Sequence, residues 1–241
     1  MIKKIVSVMA SAILAAGVLS GCGDETPKSA PKLDDVDIKN FTMPEKGEKI
    51  AVMTVKDFGT VKIKLFPEYA PKGVENFEGL IDMKYYDELI FHRVIENFMI
   101  QGGDPKGNGT GGNSIWGQEF DLEPSENLYH FTGAVAYAHA TDGGNGSQFY
   151  IVSSLGESLM PTDESFADLY TNYEKNFPEN VKEKYKEVGG QPYLDGDYTV
   201  FGQVFEGQDI VDKIAQVEVN DSDKPIDQVL IEKIELVEYQ G

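Results

Sequence analysis

Residues 49–241 are expected to fold as a mainly β domain: a closed barrel of short strands with two helices on it. Three observations point there. β-rich runs recur between turn signals and glycine-rich loops. Outside one central segment, only two stretches carry the three-and-four spacing of a helix buried on one side. Strands this short leave many unpaired edges, and closing the sheet on itself removes them.

The chain begins with Lys3 and Lys4 and an apolar run of 15 residues, Ile5 to Leu19. That is shorter than the ~20 residues of a membrane span, and it reads as an export signal over 1–21. It ends in Leu19-Ser20-Gly21-Cys22, which resembles a bacterial lipobox. The resemblance implies that Cys22 becomes the lipid-bearing (palmitate) N-terminus of the mature chain. Cys22 is the only cysteine, so no intramolecular disulfide is possible. Residues 22–48 are polar, with Pro27, Pro31 and Pro44 and no sustained periodicity, and are expected to be a flexible tether. A coil of that length spans roughly 26–30 Å. Loss of 1–21 removes two lysines and no acid, leaving 19 basic against 41 acidic residues, a formal −22. Such a surface argues against nucleic acid and against adsorption to anionic lipid.

The domain opens with a hairpin, Lys49 to Val55 and Thr60 to Phe66, around Asp57-Phe58-Gly59. A helix starts near Pro71, where the missing N–H costs nothing, and Val74, Phe77, Leu80 and Ile81 mark its buried side. Phe91 to Asp104 reads FHRVIENFMIQGGD and sets one cation, Arg93, among large apolar groups. Strand alternation would place Phe91, Arg93 and Ile95 on one face and His92 and Val94 on the other. An arginine beside two apolar groups either snorkels to water or has a task.

Residues 153–191 form a central segment of 39 residues. Phe166, Leu169, Tyr170 and Tyr173, then Val181, Tyr185 and Val188, follow helical spacing, with a break at Pro178. Two short amphipathic helices are expected, either packed on the barrel as decoration or presenting a partner or substrate surface. A helix over Gln208 to Ala215, with Ile210, Val211 and Ile214 on one side, and a strand over Gln228 to Val237 close the domain.

Several chemistries are excluded by spacing. His92, His130 and His139 do not form HExxH, and no GxSxG is present. The run GNGTGG at Gly107 to Gly112 lacks the Lys-Ser/Thr of a phosphate loop. No metal or cofactor is expected.

Taken in order, FHRVIENFMIQGGD, GNGTGG, AVAYAHA at 134–140, NGSQFYIV at 145–152 and YLDGDYTVFGQV at 193–204 resemble the cyclophilin family of peptidyl-prolyl isomerases. The resemblance runs from about Lys49 to Val237 and treats 153–191 as a helical insertion. It implies a closed eight-stranded antiparallel barrel capped by two helices. It also implies that Arg93, Gln101 and Phe98 are catalytic. Met99, Tyr150 and Leu194 would complete the proline pocket with Phe98, and Gln101 would hold Arg93 or the substrate carbonyl. Ile95 would flank the pocket, and Ala138, His139 and Ala140 would pair with substrate backbone. Gly109, Thr110 and Gln148 would line the adjoining groove, and Tyr193 and Tyr198 its rim. Four positions depart from the common family residues: Tyr150 for Phe, His139 for Asn, Tyr193 for Trp and Tyr198 for His. The two rim changes bear on peptide preference more than on catalysis.

The chemistry asks little of the protein. The amide is planar, with a rotation barrier of about 18–20 kcal/mol. A guanidinium aimed at the prolyl nitrogen binds the twisted amide better than the planar one, which is what catalysis requires. The expected protein is a monomeric, lipid-anchored isomerase at the extracytoplasmic face of the cell membrane. It would act on proline-containing unfolded or exported polypeptides and would not bind nucleic acid. The alternatives are a holdase chaperone and a non-catalytic proline-peptide-binding lipoprotein. Because the family site is complete without the insertion, deleting about 162–189 is expected to leave short-peptide isomerisation within a few-fold.

Overall fold

The structure, a computed structural model, describes residues 30–140, 143–154 and 160–241. Eight strands form one antiparallel sheet: β1 (Lys49–Val55), β2 (Gly59–Leu65), β3 (Arg93–Ile95), β4 (Met99–Gly102), β5 (Ala134–Tyr137), β6 (Phe149–Val152), β7 (Val200–Glu206) and β8 (Ile231–Glu238). The spatial order is β3-β4-β6-β5-β7-β2-β1-β8. Helices α1 (Pro71–Asp82), α2 (Asp163–Tyr173), α3 (Glu179–Val188) and α4 (Gln208–Ala215) complete it, with a 3-10 turn at Pro192–Leu194.

The barrel does not close as expected. β3 and β8 stand at the two ends of the sheet and do not pair as strands. β3 is only three residues long, and the chain before β8 fills the place of a ladder. The seam is held by irregular backbone: an Ile90–Leu230 bridge, Phe91 N–H to Val229 O at 3.0 Å and Val94 N–H to Asp223 O at 2.7 Å. The result is a curled half-barrel.

Sequence pattern explains the layers. On β1 and β2, Ala51, Met53, Val55, Val61, Ile63 and Leu65 alternate into the inner core with Phe77, Phe149 and Phe201. α1 packs on β7 and β8, and α4 on β2, β3 and β4. Their apolar stripes, Val74, Phe77, Leu80 and Ile81 on one and Val211 and Ile214 on the other, are buried as the spacing predicts. Phe91 departs from the alternation. It packs in the inner core with Val94, because the regular strand starts only at Arg93.

A second apolar cluster lies on the other face of the sheet, around Met99, Ala136, Tyr150, Val152, Leu194 and Val200. A third joins the two central helices to Tyr129 and Phe131 through Phe166, Leu169, Phe177, Val181 and Tyr185. Tyr173, expected on the apolar face of α2, is 64% exposed. Val36 and Ile38 also pack on the third cluster. The Asn40 side chain bonds to Tyr129 and Gln203, and Asn180 Nδ2 donates to Val36 O. The described part of the expected flexible tether, residues 30–48, is thus laid against the domain. Polar side chains with specific backbone partners hold it there, which composition alone does not reveal. Among the described residues, no helix is long and apolar enough to cross a membrane.

Candidate active site

The hairpin β3–β4 turns through Asn97, whose φ of 63° suits an asparagine. Its register pairs Arg93 with Gln101 and Ile95 with Met99. β6 follows, with Gln101 opposite Tyr150, and β5 next, with Tyr150 opposite Ala136. Arg93, Gln101, Tyr150 and Ala136 therefore form one cross-strand row. Side chains of a row share a face, so the register alone delivers Arg93 and Tyr150 to the outer face of the sheet.

On that face lies a cavity of about 170 Å³. Phe98, Met99, Tyr150, Leu194 and Ala138 make its apolar walls, and Arg93, Gln101, His139 and Tyr198 its polar edge. A void of about 150 Å³ holds a benzene ring, so this one has room for a pyrrolidine ring. All nine residues are among those expected from sequence.

Other expected residues lie beside the cavity. Ile95 packs in the outer cluster without lining the void. Tyr193 sits at the rim, its ring 6.1 Å from that of Phe98, and is 44% exposed. Gln101 Nε2 donates to Gln148 Oε1 at 2.9 Å, and Gln148 Nε2 donates to Gly109 O and Gly111 O. Gly109 and Thr110 are thus tied to the cavity through two amides rather than lining it. Their loop is wrapped on Asp104, whose carboxylate accepts N–H bonds from Lys106, Asn108 and Gly109. Burial would raise that carboxyl, but the three bonds outweigh it and hold it below the ordinary value. Ala138 N–H is bonded within the protein, to Gln148 O. His139 Nδ1 lies 2.8 Å from Ala140 O. Ala140 lies outside the cavity lining. Cys22 lies outside the described residues.

Arg93 is the only arginine in the chain. Of the two partners expected for Gln101, Arg93 or the substrate carbonyl, Arg93 is instead bonded to Asp223, with Nε 3.4 Å from Oδ2 and both side chains 43% exposed. Asp223 sits in a turn 130 residues away at φ 59°. The snorkelling reading of Arg93 is half right: the guanidinium reaches water, but at the mouth of a cavity. The phenols around it stay neutral. Burial pushes Tyr193 up to about 12 and raises Tyr198, with the Arg93 charge opposing both. Burial raises Tyr150 well above its ordinary range.

The sequence model of the family described as cyclophilin type peptidyl-prolyl cis-trans isomerase/CLD matches residues 50–236. The chain belongs to the cyclophilin-type peptidyl-prolyl cis-trans isomerases. A Staphylococcus saprophyticus protein named for peptidyl-prolyl cis-trans isomerase activity is 41% identical to this cyclophilin over 194 residues, covering 80% of this chain and 94% of the relative. A Streptococcus pyogenes protein named as a bifunctional phosphatase/peptidyl-prolyl cis-trans isomerase is 42% identical over 203 residues. That match covers 83% of this chain and 40% of the longer relative. The crystal structure of a Cryptosporidium parvum cyclophilin, in the presence of the dipeptide Ala-Pro, superposes with a TM-score of 0.62 at 30% identity. It covers 79% of this chain and 99% of that one. The cyclophilin described here is accordingly an enzyme that interconverts cis and trans prolyl peptide bonds.

Sequence reasoning missed three residues near the cavity: Asp223, which pairs with Arg93, and His130 and Asp195, which lie beneath Tyr150. Sequence spacing excludes His130 from an HExxH metal motif and gives it no other role. Nothing local marks any of them, because each acts on a residue far away in the chain.

Proposed function

We propose that this cyclophilin accelerates rotation about X-Pro bonds in exported polypeptides, as a monomer held at the extracytoplasmic face of the cell membrane by lipid on Cys22. The observation that carries the catalytic part is the sole guanidinium of the chain at the mouth of an apolar, ring-sized cavity. In this reading the prolyl ring enters between Phe98, Met99, Tyr150 and Leu194. Arg93 meets the prolyl nitrogen as the amide twists and its lone pair returns. Gln101, steadied by Gln148, donates its remaining amide hydrogen to the substrate carbonyl. Peptide backbone runs along His139. No step needs a proton to be taken, so no group need titrate near neutrality.

The substrate class is supported by the Ala-Pro dipeptide used with the structural neighbour. Location rests on Lys3, Lys4, the apolar run and Cys22. Residues 153–191 are read as a helical insertion within the family fold. An exchange or protease-coupled assay on a short X-Pro peptide tests the activity, and fatty-acid labelling of wild type against Cys22→Ser tests the anchor. A wild type that leaves the X-Pro equilibration time unchanged refutes the catalytic reading.

A further inference from the structure

The pocket wall at Tyr150 is anchored from below by a chain of buried polar groups. Its ring faces the cavity, while its hydroxyl lies 2.9 Å from Nε2 of His130. His130 Nδ1 lies 2.7 Å from Asp195 Oδ1, which also accepts the His130 backbone N–H. Asp195 Oδ2 accepts from the Tyr185 hydroxyl at 2.6 Å. Tyr185 belongs to α3 and is fully buried, its ring 4.3 Å from that of Phe131. Side-chain exposure is 1% at His130 and 10% at Asp195.

The donors and acceptors fit a single order. A carboxylate only accepts, so Tyr185 and His130 Nδ1 both donate to it. That tautomer leaves Nε2 to accept from Tyr150. Four polar groups under an apolar pocket cost stability unless all are bonded, and here all are. An aliphatic filling would serve a barrel equally well and would not fix the angle of one ring.

The same central segment grips the pocket at two more points. Lys175 Nζ bonds to Asp195 O at 2.6 Å and to Asp197 Oδ2 at 2.7 Å, holding the turn between Leu194 and Tyr198. Gln191 Nε2 donates to Asn97 O in the turn that carries Phe98. Neither decoration nor a docking surface, the two roles entertained from sequence, needs these bonds.

We infer that the segment carrying α2 and α3 is a positioning element of the isomerase site, acting through Tyr185, Asp195, His130 and Tyr150. It fixes the Tyr150 ring and the 194–198 rim at the spacing a prolyl ring fills. The inference rests on the isomerase reading of the cavity.

Tyr185→Phe removes one hydroxyl and keeps the ring. It is expected to raise KM for a short X-Pro peptide roughly 3- to 10-fold, with kcat changed by less than about 2-fold. Tyr150→Phe cuts the same line at its other end, so Tyr150→Phe/Tyr185→Phe should have the KM of Tyr150→Phe alone. Phe166→Leu, in the same aromatic cluster as Tyr185, should lower Tm and leave KM in place. An unchanged KM in folded Tyr185→Phe, additive effects of the two tyrosines, or an equal KM shift in Phe166→Leu would each overturn the inference. Kd for the Ala-Pro dipeptide, from NMR titration of the same proteins, separates the two readings. A wild type that binds the dipeptide without catalysing exchange ends the isomerase reading, and the relay is then judged on the same pattern in Kd. A wild type that does neither ends both.

Discussion

At the scale of single residues, the proposed chemistry rests on one guanidinium. The chain uses lysine for every other non-histidine basic side chain and arginine only at position 93. A lysine could supply charge there, but not a planar fork able to keep Asp223 and reach a prolyl nitrogen together. Arg93→Ala should fold normally, since the side chain is half-exposed, and should lose about 10²- to 10³-fold in kcat/KM. Arg93→Lys should recover little of it. The exchange assay decides, and a variant as active as wild type would sink the mechanism. His92, its neighbour, has a different consequence. Burial holds its imidazole below the ordinary value; Asp104 pulls the other way, while Lys224 and Arg93 add to the depression. Neither ring nitrogen has a partner among the described residues. In the unfolded chain it protonates near 6.5, and in the folded protein only at lower pH. Between those values the unfolded state binds more protons, so this contribution to stability is complete above about 6.5 and falls as pH drops. Tm should decrease from pH 7 to 5.5 in wild type and decrease less in His92→Leu. Parallel curves for the two proteins would refute this.

Elements depend on a few such residues. The loop Pro105–Gly112 has no ladder of its own and is organised around the Asp104 carboxylate, which is 1% exposed. Asp104→Ala leaves three backbone donors without their acceptor and should cost about 2–4 kcal/mol by urea denaturation. Asp104→Asn should recover part of it, because the amide keeps one acceptor oxygen. A loss under ~1 kcal/mol would mean that water replaces the carboxylate. The α2–α3 segment is the second case. Sequence alone made its deletion nearly harmless to short peptides. With Lys175 and Tyr185 both bonded to Asp195, deleting 163–188 should instead raise KM roughly tenfold or more. Wild-type KM in the deleted enzyme would restore the earlier expectation.

For the whole molecule, charge and seam matter most. Under the proposed processing before Cys22 the chain carries a formal −22, which repels anionic lipid head groups, so a covalent lipid is the anchor that fits the proposal. Wild type should partition into detergent after fatty-acid labelling, and Cys22→Ser should not. Absence of label on wild type would end the anchor proposal. The half-barrel is sealed by single bonds from the loop before β8. The turn at 220–224 therefore does two jobs: Asp223 O caps the Val94 N–H, and its carboxylate meets Arg93.

The sequence by itself determined the mainly β class, the first hairpin, the helix starting near Pro71, two short central helices broken at Pro178, the helix over 208–215, and the nine residues that line the cavity. Those follow from local periodicity, or from a motif order that a resemblance can read, as with Phe98, Met99 and Leu194. Tertiary structure decided what depends on distant segments meeting. It left the seam without a strand ladder, since β3 and β8 do not pair and irregular backbone before β8 bonds there instead. It turned Phe91 inward because irregular backbone precedes the strand. It folded residues 30–48 onto the domain through Asn40, 89 and 163 positions from its partners. It gave Arg93 an acid 130 residues away and His130 one 65 away. A carboxylate in a polar turn looks like any solvated charge until the fold brings it to its cation, and only that approach separates Asp195 and Asp223 from the other acids.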